Sequence, residues 1–488
     1  WVDHQINTPQ TIHELAVKQL YDDRGLSSSE GGIKVSDAEK ARLDVWWETA
    51  VTAPDQLRQR VAFALSQIMV VSTQNSRLKR AARGIANYQD TLALHGLGNY
   101  RNLIEAVTLH PVMGDYLSMR TNQKENFDSK IRPDENYARE LMQLFSLGLY
   151  ELNLDGSIKQ DNQGQPIPTY TQDDIYALAR VFTGWNYHDA TKISSNRRTD
   201  ISYLKPMTVF ESAHDTDKKA LLNRAVLPAG QTAKEDLNDA LDTLFHHPNV
   251  GPFIAQRLLE RLVTSNPSPE YVKRVAQVFN DNGDGIRGDM AAVIKAILLD
   301  KSAFDQHKKL PAYSGKLKEP ILRLTQLWRA FDAKGVNGIY RLSIPDKYFS
   351  QKPFSAPSVF NFYQPTFAPN STFSDLGLVA PEFQILTEAN IVNTTNRFYG
   401  YARSDDINSP GGSLHQIILN VDAEKKLASN PKQLIDHLNT LLMGGLMSDV
   451  MQHILIDYLS TIEQGDGTDR VNEALALIIT SPEYAVQR

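Results

Sequence analysis

Apolar residues return three and four positions apart through most of this chain, and that spacing belongs to one face of an α-helix. Leu57, Val61, Ala64, Leu65 and Ile68 keep it after Pro54-Asp55, a helix start inside a longer helical stretch from Val45 to Ser72. The same pattern predicts helices over 81–97, 100–110, 235–245, 250–264, 269–279, 289–299 and 318–331, and again through the last third towards Gln487. Thr171 and Asp174 have the spacing of a capping box ahead of Ile175, Leu178, Ala179 and Phe182, with Gly184 as the stop. Three stretches break the pattern: a polar, hairpin-like 153–168, an irregular 186–232 with the β-prone Thr208-Val-Phe210, and 345–381. The last has too many prolines for a long helix and too many aromatics for a solvated linker, so it reads as a packed loop. The expected fold is mainly α: a large multi-helix globular body, one continuous domain over 1–488, with little β and a long irregular Pro/aromatic-rich loop. Ser27-Ser-Ser-Glu-Gly-Gly32 is expected to be mobile.

Composition narrows the function classes. Hydrophobic residues at 41% and charged residues at 22% suit a globular chain and not a disordered one. A net charge of -6 leaves no basic footprint for nucleic acid, and no run of Lys and Arg marks an anionic membrane surface. No apolar stretch approaches the roughly 18 residues of a membrane span. With no cysteine, disulfides, thiolate catalysis, iron–sulfur clusters and cysteine-zinc sites are excluded. The chain opens at Trp1 and not at methionine, from which a removed or preceding leader is expected. No Gly-x-Ser-x-Gly elbow, Gly-x-Gly-x-x-Gly turn or Walker loop is present, so serine-hydrolase and nucleotide chemistry lack a motif.

The stretch Arg132-Pro-Asp-Glu-Asn-Tyr-Ala-Arg-Glu-Leu-Met-Gln-Leu-Phe-Ser-Leu-Gly148 carries the most chemistry. Pro133-Asp134 predicts a helix start and Gly148 its stop. Tyr137, Leu141, Leu144, Phe145 and Gly148 form an apolar stripe. Asn136, Arg139, Glu140 and Gln143 form a second, polar stripe at i, i+3, i+4 and i+7. The bland account is a solvated face with an Arg–Glu neighbour pair.

Two echoes hint at a repeated helical unit. His110-Pro111 resembles His247-Pro248, and Ala296-to-Phe304 resembles Ala476-to-Tyr484.

Taken together, the motifs resemble the large bacterial family named for domain of unknown function 1800. They run from Trp46-Trp47 and Asp55-to-Ser66 through Asp134-Glu-Asn-Tyr-Ala-Arg-Glu-Leu141, Leu147-Gly148, Tyr170-Thr-Gln172 and Phe182-Thr-Gly-Trp185. They continue through His214-Asp215, Lys218, His247-Pro248, Lys316-Leu-Lys-Glu-Pro320 and Pro357-to-Pro365, and so cover most of the chain. Family members usually begin with a further helical segment bearing an Ala-Thr-Phe-Gly-like motif after an export signal, and this sequence departs from them there. The resemblance implies a secreted, periplasmic or envelope location and association with the family of unknown function 1501, which looks like sulfatase and alkaline-phosphatase hydrolases. It implies no settled reaction.

The sharpest functional reading gathers Asn136, Arg139, Glu140, Thr183, Trp185, His214, Asp215 and Lys218 into one pocket of a protein working on or with an extracellular polymer or envelope component. Glu140 would act as general base and His214 as acid, with Arg139 or Lys218 holding an anionic group. In a second reading Glu140, His214, Asp215 and the Asn136 oxygen ligate a divalent metal, and in a third the same residues form a structural network. Asn280, Asn282 and Asp284 have the alternation of a calcium loop, but Ala291 stands where the bidentate carboxylate belongs, which favours a plain interhelical turn. The rival class is a non-catalytic scaffold that meets a hydrolase-like partner through Trp185 and the aromatic segment with Phe360, Phe362 and Tyr363.

Overall fold

Helices carry the chain from Val2 to Ala485, while the strands are two residues long and each pairs antiparallel with one other. The computed structural model describes residues 1–26, 33–196, 198–222, 225–309, 314–335, 337–403 and 417–488. The fold class is mainly α, as the periodicity implies. The expected mobile loop Ser27–Gly32 lies outside the described residues.

The described residues cluster into two compact units. The first comprises Trp1–Glu39, Pro54–Ser314 and Phe354–Asn361, and the second Lys40–Ala53, Gly315–Pro353 and Phe362–Arg488. The sequence reading takes 1–488 as one continuous domain, because nothing in composition marks these boundaries. The one at Glu39 falls inside the Val35–Thr52 helix.

The first unit is organised on the Ala82–His95 helix, which packs against the His13–Asp23, Gln56–Ser66 and Tyr100–Thr108 helices. Ile85, Tyr88 and Leu92 bury its apolar face completely. The His13–Asp23 helix has Ile12 at its N-cap and no side-chain cap of its own. Asp90 supplies one from the neighbouring helix, accepting from the His13 and Glu14 amides at 2.8 and 2.9 Å. The Val250–Leu262, Pro269–Asn280 and Met290–Leu299 helices pack in succession. Residues 153–168 form a ribbon held by isolated bridges, Leu152 to Ile158 and Gln160 to Pro166. The β-prone Thr208–Val209 pairs with Trp185–Asn186. The Phe354–Asn361 segment completes this unit: Thr73 N–H donates to the Phe354 carbonyl at 2.8 Å and Ser72 Oγ to the Ala356 carbonyl at 2.6 Å.

The second unit centres on Trp328. Its ring lies 5.6 Å from those of Trp47 and Tyr401 in edge-on contacts and 6.1 Å from that of Tyr340. Helix Glu388–Ala402 packs on Thr468–Thr480, and Pro431–Met443 on Asp449–Ser460. A strand pair, Lys316–Leu317 with Val486–Gln487, ties in the C-terminal residues. Lys316 and Glu382 meet at 2.9 Å, both almost wholly buried.

Candidate functional site

The polar stripe singled out from sequence lies in the first unit. Its helix runs Asn136–Gln143, two residues later than Pro133-Asp134 implies, because Asp134 is spent on an Asx turn, accepting from the Asn136 amide at 2.9 Å. Gly148, left-handed at φ +76°, closes the segment. Tyr137, Leu141 and Phe145 are buried as expected, and the Tyr137 ring meets Phe182 at 5.0 Å. Asn136 is exposed and Arg139 partly so, and Arg139 reaches Glu135 at 3.1 Å.

Glu140 differs from its stripe neighbours. It is 8% exposed, it makes no side-chain hydrogen bond among the described residues, and its Oε2 is sealed from solvent. Burial holds its proton to higher pH than an ordinary glutamate, and Arg139 opposes this only in part. Tyr116 and Tyr170 are close enough to feel its charge. Both phenols are raised, first by their own burial, and Tyr116 is pushed up to about 12.

His214 belongs to another cluster, and no hydrogen bond or ion pair among the described residues joins it to Glu140. Its ring is fully buried: Nδ1 lies 3.2 Å from Thr183 Oγ1 and 3.1 Å from the Thr183 carbonyl, and Nε2 lies 3.0 Å from Asp236 Oδ2. The same Asp236 oxygen accepts from Lys219 Nζ at 2.5 Å, and Lys219 is 1% exposed. Lys218, the expected site cation, is exposed and contributes only its carbonyl, to Arg180 at 3.2 Å. Asp215 is clamped by Arg180 through two 2.8 Å bonds. Arg180 and Lys219 hold its carboxyl below the usual range against the opposing effect of burial. Thr183, His214, Asp215, Lys219 and Asp236 thus bond to one another in a buried cluster, in which Asp236 Oδ1 alone has no partner among the described residues, and this geometry separates Glu140 from His214.

A third cluster escaped the sequence reading. Asp115, at the end of the Pro111–Tyr116 helix, accepts from Arg120 Nε at 2.5 Å, from Tyr203 Oη at 2.7 Å and from Tyr187 Oη. Arg120 stacks 4.4 Å over the Tyr187 ring and also donates to Asn186 Oδ1 at 3.0 Å. The connecting backbone is strained, with Ser118 at φ +62° and Thr121 at +66°, and a cavity of about 250 Å³ opens beside it. The available signal was an acid inside the otherwise apolar Pro111-Val-Met-Gly-Asp-Tyr116.

The remaining candidates divide. Trp185 is 3% exposed in its short strand, and Tyr363 is buried, so neither offers a docking face. Phe362 is half-buried, and Phe360, at 40%, is the exposed member. In the 280–285 turn the side chains serve the turn itself. Asn280 accepts from Arg287, and Asn282 Oδ1 takes the Asp284 amide at 3.0 Å while its amide group donates to Asp289 at 2.7 Å. Asp284 stands exposed at the tip. Among the described residues no group of three His, Asp or Glu side chains is placed to hold a metal ion. Nor is any helix long and apolar enough to cross a membrane.

In comparison with known proteins, residues 1–486 match a family model described as protein of unknown function (DUF1800). No curated protein and no solved structure matches the chain.

Proposed function

The chain belongs to the DUF1800 family, and from that premise we propose that it is an exported bacterial protein engaging an extracellular polymer or envelope component at the Glu140 face of its first unit. One observation carries the site: a carboxyl with a sealed, unpartnered oxygen and a raised affinity for its proton, beside Arg139, Tyr116 and Tyr170. With Oε2 sealed, Oε1 is the oxygen left to meet a ligand, and from there the protonated carboxyl donates a hydrogen bond to a neutral oxygen, such as a glycan hydroxyl or a glycosidic oxygen, and in a reaction the proton itself. Arg139 stands beside it for an anionic substituent. His214 has no part in this reading, since both of its ring nitrogens are engaged. Export rests on the family resemblance alone.

The test uses purified full chain with peptidoglycan fragments and with exopolysaccharide, following both binding and bond cleavage. Glu140→Gln is expected to abolish cleavage, or to weaken binding at least tenfold, with the melting temperature retained. Unchanged behaviour towards every polymer the unaltered protein recognises would remove Glu140 from the site.

A second reading, a non-catalytic subunit, is favoured by Val450, Ile454 and Tyr458, which recur every four residues on one exposed face of the Asp449–Ser460 helix. The hydrolase-like partner of the family of unknown function 1501 enters through the family resemblance. Co-elution of the two purified proteins, lost in Ile454→Glu, is the outcome expected of that reading. Independent elution removes it.

A further inference from the structure

In the first unit, a cavity of about 660 Å³ opens at the start of the Ala82–His95 helix. Lys18, Lys34, Arg80, Arg83 and Arg198 line it, and among the described residues no carboxylate does. Two of the five charges are already matched: Arg83 reaches Glu14 at 2.5 Å and Lys18 reaches Asp22 at 2.8 Å. Lys34, Arg80 and Arg198 have no ion pair and no side-chain hydrogen bond among the described residues. In a chain of net charge -6, three unmatched cations around one cavity run against the average, and they repel one another until an anion arrives. The helix end adds to this. Ala81 caps it without a side-chain hydrogen bond, and the first-turn residues Ala82, Arg83 and Gly84 line the cavity.

We propose that this cavity binds a multiply charged oxyanion, a phosphate or sulfate ester carried on a sugar-sized body. The charge sets the chemistry: two or three negative charges satisfy Lys34, Arg80 and Arg198, and guanidinium groups grip tetrahedral oxyanions through paired N–H donors. The volume sets the size, since it falls in the range of small-ligand pockets, roughly 300–1,000 Å³, and exceeds the needs of a lone anion. Tyr203 forms a buried wall beside the helix start. The site is independent of the Glu140 reading, and either stands if the other falls.

The experiment is titration calorimetry on the full chain at low salt with pyrophosphate and, separately, inorganic sulfate. At least one anion is expected to bind the unaltered protein at least tenfold more tightly than the Lys34→Ala/Arg80→Ala/Arg198→Ala variant, with affinity falling as salt rises. Lys34 and Arg80 are exposed and Arg198 half-buried, so the variant should melt as the unaltered protein does. Should it not fold, Arg198→Glu alone is expected to give the same loss. Glu140→Gln should bind these anions unchanged. Absence of binding by both anions, or equal binding by the variant, would overturn the proposal.

Discussion

Two buried acids behave oppositely because of what faces them. Asp236 has Lys219 and His214 on one oxygen, whereas the Glu140 carboxyl makes no side-chain hydrogen bond among the described residues. Removing the Asp236 carboxylate leaves the buried Lys219 ammonium with two backbone carbonyls and the more distant Asp215 carboxylate, which Arg180 already holds, so Asp236→Ala is expected to lose about 3 kcal/mol of stability in urea denaturation. Glu140 gives a pH signature instead. The folded state keeps its proton to higher pH than the unfolded chain does, so the fold binds the extra proton between the ordinary glutamate value of 4.5 and the raised one. Its contribution to stability is therefore greatest below that window and declines as pH rises through it. Glutamine carries no charge and has no such slope. The stability of Glu140→Gln relative to the unaltered protein should accordingly grow from pH 4 upward, and a difference independent of pH would contradict the assignment. Residue types pointed to this region, but partners did not follow from them. Glu140 and His214 carry acid–base chemistry in their side chains, but what each of them meets depends on helices brought together from far along the chain. Lys219 sits beside the chosen Lys218, and only the direction of the turn after Asp215 decides which of them is buried.

Elements set by neighbouring residues were legible. The Thr171–Asp174 capping box forms as the spacing implies, since its donors and acceptors lie within one turn. Both echoes also have local physical content. His110 and His247 each accept through Nδ1 from the amide two residues on, at 3.2 Å, and burial holds His110 down to about 3, so that its ring is neutral and able to accept. Asp300 and Ser481, one position apart in the register of the second echo, each form an extended break between helices and accept from an amide just beyond it, Asp300 from Ser302 and Ser481 from Tyr484. The calcium-like turn was the harder case, because the same Asn and Asp residues that ligate a cation also build Asx turns. The pairing of Lys316–Leu317 with Val486–Gln487 was invisible, since each strand is two residues long. It depends on Gly315, left-handed at φ +95°, where an added Cβ would lie 2.4 Å from the Gln487 carbonyl oxygen. Gly315→Ala is therefore expected to open this pair, seen as faster hydrogen exchange at Leu317 and Lys318, at a cost of roughly 1–3 kcal/mol.

At the scale of the molecule, the division into two units is written discontinuously along the sequence. A fragment ending at Ser314 would lack Phe354–Asn361, and it would carry Lys40–Ala53, with the normally buried Leu43, Val45, Trp46 and Trp47, away from the unit to which those residues belong. Such a fragment is expected to aggregate in light scattering under conditions where the full chain does not. Time of synthesis makes the same point. A ribosome adds about 5–20 residues per second and releases the N-terminal part first. Yet Ser72 and Thr73 find their partners only when Phe354 and Ala356 have emerged, and the final strand pair waits for Gln487. The first unit therefore stays unfinished while most of the chain is being made, and the second is finished only by its last residues. Each unit thus completes its packing only after residues of the other have been made.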